Sequence, residues 1–186
     1  MKYRSIYRLS LLALLFTFNY CSRMNIEWSE LPPLPPPAPG STQPGVAGPF
    51  AGIHGKTLIV AGGANFQDTM PWHGGKKYYH DDIYTLHLPV NGGPWKSFRG
   101  EISLPAPVAY GASASTEAGL VCMGGETEQG PTDKAYIISV AGERLIVTPL
   151  PPLPVPLSNA ASTSVGPTVF VAGGMTSDAV SYTHLT

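Results

Sequence analysis

An apolar run closed by two glycines occurs three times in this chain, as Thr57-Leu58-Ile59-Val60-Ala61-Gly62-Gly63, Gly119-Leu120-Val121-Cys122-Met123-Gly124-Gly125 and Thr168-Val169-Phe170-Val171-Ala172-Gly173-Gly174. The first glycines of the three copies stand 62 and 49 residues apart. Repetition at this period restricts the fold to architectures whose units bury their apolar faces against one another. The glycine pair has a physical reason. A chain leaving a buried strand must turn where a side chain would clash, and glycine reaches positive backbone angles without penalty.

Small residues precede each run, in Phe50-Ala51-Gly52, Ala109-Tyr110-Gly111-Ala112 and Asn159-Ala160-Ala161-Ser162, which suits an inner strand crowded against its neighbours near a narrow axis. Two outer strands are expected after each run. In the first unit they are Asp82-Ile83-Tyr84-Thr85-Leu86-His87-Leu88 and a strand at Trp95, and in the second Ala135-Tyr136-Ile137-Ile138-Ser139-Val140 and Leu145-Ile146-Val147. Four short strands in about 50 residues is the period of a Kelch blade, so the sequence predicts an all-β, Kelch-type β-propeller. The alternative is a β-sandwich with hairpin glycines, which would stack its strands in face-to-face rather than radial layers.

A second phrase punctuates the first. Leu31-Pro32-Pro33-Leu34-Pro35-Pro36-Pro37 returns as Leu104-Pro105-Ala106-Pro107 and as Leu150-Pro151-Pro152-Leu153-Pro154, stretches that can be neither helix nor central strand. With Trp28 ahead of its first copy, Asn25-Ile26-Glu27-Trp28 matches the position of Trp95 and reads as an outermost strand. The chain then holds an outer strand, two full units and the start of a third over 23–174, whereas six blades would need about 300 residues. A truncated ring is therefore expected, with 175–186 as a tail of uncertain origin.

Composition supports this frame. Charged residues make up 12% of the 186-residue chain, against about 25% in an ordinary soluble domain, while Gly 21 and Pro 20 punctuate it too often for a long helix or coiled coil. The 43% of hydrophobic residues is enough for a core. A net charge of -1, from 11 Lys+Arg and 12 Asp+Glu, argues against nucleic acid as a partner. At the N-terminus Lys2, Arg4 and Arg8 precede Leu11-Leu12-Ala13-Leu14-Leu15-Phe16-Thr17-Phe18, an export signal over 1–22 and too short to span a bilayer. It predicts a periplasmic or cell-surface protein, either cleaved without a lipid or lipid-anchored at Cys21. Cys21 and Cys122 are the two cysteines, and no intrachain disulfide is expected.

The loop motifs carry a resemblance. Gly45-Val46-Ala47-Gly48-Pro49-Phe50-Ala51-Gly52-Ile53 followed by Leu58-Ile59-Val60-Ala61-Gly62-Gly63-Ala64-Asn65-Phe66 is similar to N-acetylneuraminate epimerases, the sialic acid mutarotases. So are Gly75-Lys76-Lys77 leading to Asp82-Ile83-Tyr84, Ala109-Tyr110-Gly111, and Gly124-Gly125-Glu126-Thr127 leading to Thr132-Asp133. Because these blades directly follow the export signal, the order resembles the cyclically permuted mutarotase branch. The resemblance implies a six-bladed propeller, export, and interconversion of the α and β anomers of N-acetylneuraminate with no cofactor.

Anomer exchange needs one group to take the anomeric hydroxyl proton, another to protonate the ring oxygen, and donors for the sugar carboxylate. Glu126, directly after a glycine pair, is the catalytic candidate; a solvated loop carboxylate is its alternative. The long loop from Asn65 to Asp81 offers Asn65, Trp72, His73, Lys76, Lys77 and His80, of which Asn65, His73 and Lys77, with Tyr110, are the substrate-binding candidates. His73 and His80 lack a third ligand at a metal-binding spacing, and no metal is expected. Two departures from the family stand out. Epimerases carry an Arg ahead of Ala-Tyr-Gly where this chain has Val108, and the family's Glu and Arg pair lies in another blade, so Glu126 is its repeat equivalent. The rival function is a non-catalytic Kelch propeller binding a glycan or a protein.

Overall fold

The computed structural model describes residues 26–36, 40–88, 93–98 and 101–176. The segment expected to be an export signal, Cys21 and the part of the tail beyond 176 lie outside these residues. Residues 26–31 belong to a separate N-terminal unit and form no strand; Trp28 is 93% exposed. The outermost strand expected there is thus not formed. The rest of the description concerns the unit that begins at Pro32.

Among the described residues its regular structure is strand apart from one turn of 3-10 helix, Pro71–His73. The first repeat contains β1 (Phe50–His54), β2 (Thr57–Ala61), the short β3 (Ala64–Asn65) and β4 (Tyr78–Tyr79), β5 (Ile83–His87) and β6 (Lys96–Ser97). The second contains β7 (Ala112–Thr116), β8 (Gly119–Met123), the short β9 (Glu126–Thr127) and β10 (Gly130–Pro131), β11 (Ala135–Ala141) and β12 (Arg144–Leu150). The third begins with β13 (Ala161–Val165) and β14 (Thr168–Ala172). Strands β1, β2, β5 and β6 form one antiparallel meander, β7, β8, β11 and β12 another, and β13 pairs with β14. The short pairs β3–β4 and β9–β10 stand apart as small ladders at the ends of the two meanders.

The meanders stack as propeller blades, and β8 shows why its sequence reads as a continuous apolar run. All five of its residues are buried. Leu120 and Cys122 pack with Phe50, Ile59, Ile83, Tyr136 and Ile138 toward the first sheet, while Val121 and Met123 pack with Ala112, Ala135, Val169 and Val171 toward the third. A strand covered on both faces has no room for a polar alternation. Burial holds the Cys122 thiol far above its ordinary pKa, so it behaves as a small core hydrophobe.

The glycine pair does two jobs. Gly62 and Gly124 donate within their own blade, to Asp82 O at 2.9 Å and Lys134 O at 2.9 Å. Gly63 and Gly125 donate across to the next repeat, to Val108 O at 2.8 Å and Leu157 O at 2.7 Å. The Leu-Pro phrases supply the other half of that link. Leu104 and Leu153 donate to Asp81 O and Asp133 O at 2.9 and 2.7 Å, which tucks each proline-rich connection under the preceding repeat. The first copy is tied similarly, since Trp95 Nε1 donates to Pro32 O at 2.7 Å.

The inner strands of different blades come close enough for serine to bridge them. Ser113 Oγ donates to Ala51 O at 3.0 Å, and Ser115 Oγ accepts from Ile53 N at 2.8 Å. One repeat later Ser162 Oγ and Ser164 Oγ donate to Ser113 O and Ser115 O at 2.8 and 2.6 Å. Small side chains therefore substitute for a sheet ladder between blades. We expect the double variant Ser162→Ala, Ser164→Ala to lose about 1–2 kcal/mol of stability, at about one net hydrogen bond per site, read as a lower urea midpoint with an unchanged slope.

One expectation is corrected. Tyr110-Gly111 and Asn159-Ala160 are not strand but the bends that lead into β7 and β13, and Ala109 forms only an isolated bridge to Glu126. Tyr110 and Asn159 have positive φ, 58° and 56°, which no extended strand accommodates.

Candidate active site

The site is assembled where the β3–β4 ladder of the first repeat meets the β9–β10 hairpin of the second. Ala64 and Asn65 pair with Tyr79 and Tyr78, closing the base of the long loop. Glu126 exchanges backbone bonds with Ala109, N to O at 2.6 Å and O to N at 3.0 Å, and so stands beside Tyr110.

Along residues 76–79, which end in β4, alternate side chains take different partners. Lys77 and Tyr79 reach Glu126: Lys77 Nζ donates to Oε1 at 3.2 Å, and the Tyr79 hydroxyl donates to the same oxygen. Lys76 and Tyr78 reach outward instead, to Glu128 at 2.7 Å and Asp68 at 2.6 Å. Lys77 Nζ also lies 5.0 Å from the centroid of the Tyr110 ring and 5.6 Å from that of Tyr79. Such contacts place a cation against two aromatic faces.

Electrostatics follow from this arrangement. Burial pushes Glu126 up, but the hydrogen bonds from Tyr79 and Lys77 and the lysine charge outweigh it and leave its pKa below the ordinary value. Burial lowers Lys77, yet its hydrogen bond to Glu126 and the carboxylate charge carry it above the ordinary lysine value. Burial raises Tyr79, and the bond to Glu126 raises it further. At neutral pH Glu126 is therefore a carboxylate, Lys77 an ammonium and Tyr79 a neutral phenol. Beside it a cavity of about 200 Å³ is lined by Lys77, Tyr79, Pro107, Thr127 and Gln129.

Three of the five candidates from the sequence, Glu126, Lys77 and Tyr110, thus come together. Asn65 stands apart, with Nδ2 donating to Gly45 O at 2.9 Å and Oδ1 bonded to His80 Nε2 at 2.8 Å. It anchors the loop base and borders a second cleft of about 310 Å³, with Gln43, His80 and Asp82. His73 sits in the exposed 3-10 turn, its ring 6.3 Å from Trp72, and is not brought to Glu126. Tyr79 was not singled out from the sequence. The signal was present in Lys77-x-Tyr79, a cation and a phenol two residues apart at a strand entering the loop base.

The family model described as N-acetylneuraminate epimerase matches residues 17–147 of this chain, which include every member of this cluster. The chain belongs to the N-acetylneuraminate epimerase family. Relatives bearing that name include one from Haemophilus influenzae (strain 86-028NP), 36% identical over 132 residues, covering 66% of this chain and 33% of the relative. Another, from Vibrio cholerae serotype O1 (strain ATCC 39315 / El Tor Inaba N16961), is 35% identical over 130 residues, covering 67% and 33%. A third, from Escherichia coli O139:H28 (strain E24377A / ETEC), is 40% identical over 121 residues, covering 61% and 30%. The solved structure of YjhT superposes with a TM-score of 0.54 at 31% identity, over 68% of this chain and 36% of that one. This member of the N-acetylneuraminate epimerase family spans about a third of the length of the relatives it matches.

Proposed function

We propose that the protein is a sialic acid mutarotase, interconverting the α and β anomers of N-acetylneuraminate, with Glu126 as the proton acceptor in this part of the ring. The observation that carries the reading is the ionised Glu126 carboxylate held between Lys77 and Tyr79 beside the Tyr110 ring.

The chemistry balances without any other reactant. Glu126 takes the anomeric hydroxyl proton as the bond between the anomeric carbon and the ring oxygen breaks and the carbonyl forms. The Tyr79 hydroxyl gives its proton to the departing ring oxygen, and Glu126 returns the proton it holds to Tyr79 through their hydrogen bond. Rotation about the freed carbon–carbon bond and the reverse transfers close the ring on the other face. The raised pKa of Tyr79 keeps the phenol protonated at neutral pH, so that its proton is there to be transferred. Lys77 balances the charge of Glu126 and attracts the sugar carboxylate; Tyr110 supplies an apolar face for the sugar ring.

The cluster also favours a second reading. Glu126 Oε1 already accepts from two donors, as a carboxylate built for recognition would. In that case the propeller binds the sugar without accelerating exchange. Lys2, Arg4 and Arg8 ahead of their apolar run support action in an exported compartment.

The test is the pH profile of anomer exchange, followed by proton NMR on the full-length protein with the spontaneous rate subtracted. With Glu126 below its ordinary value of 4.5, the carboxylate persists as pH falls from 7 to about 5, and the catalysed rate is expected to stay level there and to fall only at lower pH. A rate that rises as pH falls through this range contradicts a carboxylate base.

A further inference from the structure

The repeat places three residues in equivalent positions just before the inner strands: Gly48, Tyr110 and Asn159, offset by the same 62 and 49 residues as the glycine pairs. All three have left-handed backbone, with φ of 60°, 58° and 56°. They are also chained. Tyr110 N donates to Gly48 O at 2.7 Å, and Asn159 N donates to Tyr110 O at 2.7 Å. Successive blades thus deliver one residue each to a continuous backbone ladder, and the middle one faces Lys77 in the site described above.

The side chains fit this ladder in sequence. A Cβ on Gly48 would stand 2.4 Å from Tyr110 Cδ1, so the Tyr110 ring lies across the glycine of the preceding repeat. Asn159 is related to Tyr110 as Tyr110 is to Gly48. It is exposed, and among the described residues its amide makes one contact, Nδ2 to Ser158 Oγ at 3.4 Å. Asparagine tolerates left-handed backbone better than most residues. Retaining a non-glycine residue there nevertheless keeps a polar amide at the end of a row that carries Tyr110. Backbone in this region concentrates at sites of function.

We infer that Asn159 is a substrate-contacting residue, its amide hydrogen-bonding the sugar that packs on Tyr110, so that the third repeat contributes to the site built by the first two. The inference rests on the proposed reading of that site. Asn159 lies beyond the residues that the family model matches.

The test uses Asn159→Gly in the full-length protein, because Gly48 shows that glycine sustains the same backbone at this position. Loss of one hydrogen bond is expected to raise KM for N-acetylneuraminate about tenfold, with kcat within about threefold and the thermal midpoint unchanged. Asn159→Asp, which preserves shape and left-handed tolerance but removes both N–H donors, is expected to raise KM as well and carries the test if the glycine variant folds poorly. An unchanged KM in both variants, with the parent protein still accelerating exchange, overturns the role of Asn159 and leaves the Glu126 reading standing. A parent protein that neither binds nor accelerates overturns both.

Discussion

Replacing Glu126 with glutamine is expected to reduce catalysed anomer exchange about 100- to 10,000-fold, the usual contribution of a positioned proton-transfer group. The substitution is informative because it preserves shape. The glutamine Oε1 still accepts from Tyr79 and Lys77, so the β9–β10 hairpin and its bridge to Ala109 keep their partners. What is lost is the basic oxygen and the charge facing Lys77. That ion pair is partly solvated, with side-chain exposures of 33% and 29%, so its removal costs little stability. A large fall in kcat with an unchanged melting temperature is therefore the expected signature, measured by NMR exchange rates and differential scanning calorimetry. Retention of more than about a tenth of the rate removes Glu126 from proton transfer.

The second large effect concerns the fold. Gly124→Ala is expected to cost about 3 kcal/mol, combining about 1–2 kcal/mol for a left-handed non-glycine residue with overpacking of about 1–3 kcal/mol. The backbone there has φ of 61°, and a Cβ would stand 2.3 Å from Leu157 O, an atom fixed by its bond from Gly125. Gly142→Ala separates the two contributions. Its φ is 63°, but nothing lies within 4 Å of the added carbon, so only the conformational part of about 1–2 kcal/mol is expected. Urea unfolding of both variants reads the difference directly. Equal losses would mean that close approach between blades is not what keeps glycine at position 124.

These residues also show which parts of the fold a reader of the sequence can find. The glycine pairs and the apolar runs before them are local signals, each complete within seven residues, and the second and third strands follow from them. The Leu-Pro phrases are equally local. Tyr110 and Asn159 are different: set among small residues, they resemble the start of an inner strand. Their left-handed backbone is fixed by N–H groups that bond to the preceding blade, and the sequence does not record that neighbour. The serine bridges were hidden for the same reason, since Ser113 and Ser162 look like ordinary strand residues until two blades are placed side by side.

The site divides along the same line. Glu126 was legible because it follows a glycine pair, and Lys77 and Tyr110 because they lie in family motifs. Tyr79 is defined by a contact with a residue 47 positions away. Asn65 has the chemistry of a sugar ligand, yet its amide is engaged with Gly45 and His80. His73 shares the loop with Lys77, but the turn at Pro71–His73 carries it outward, so membership of one loop does not place two side chains together.

Magnetisation transfer between the two anomers of N-acetylneuraminate, with and without the full-length protein at neutral pH, tests the central claim most directly. The proposed mechanism predicts exchange faster than in buffer, returning to the buffer rate when Glu126→Gln replaces the parent protein. Saturable binding of the sugar with no gain in exchange would contradict it and leave a sugar-recognising propeller in its place.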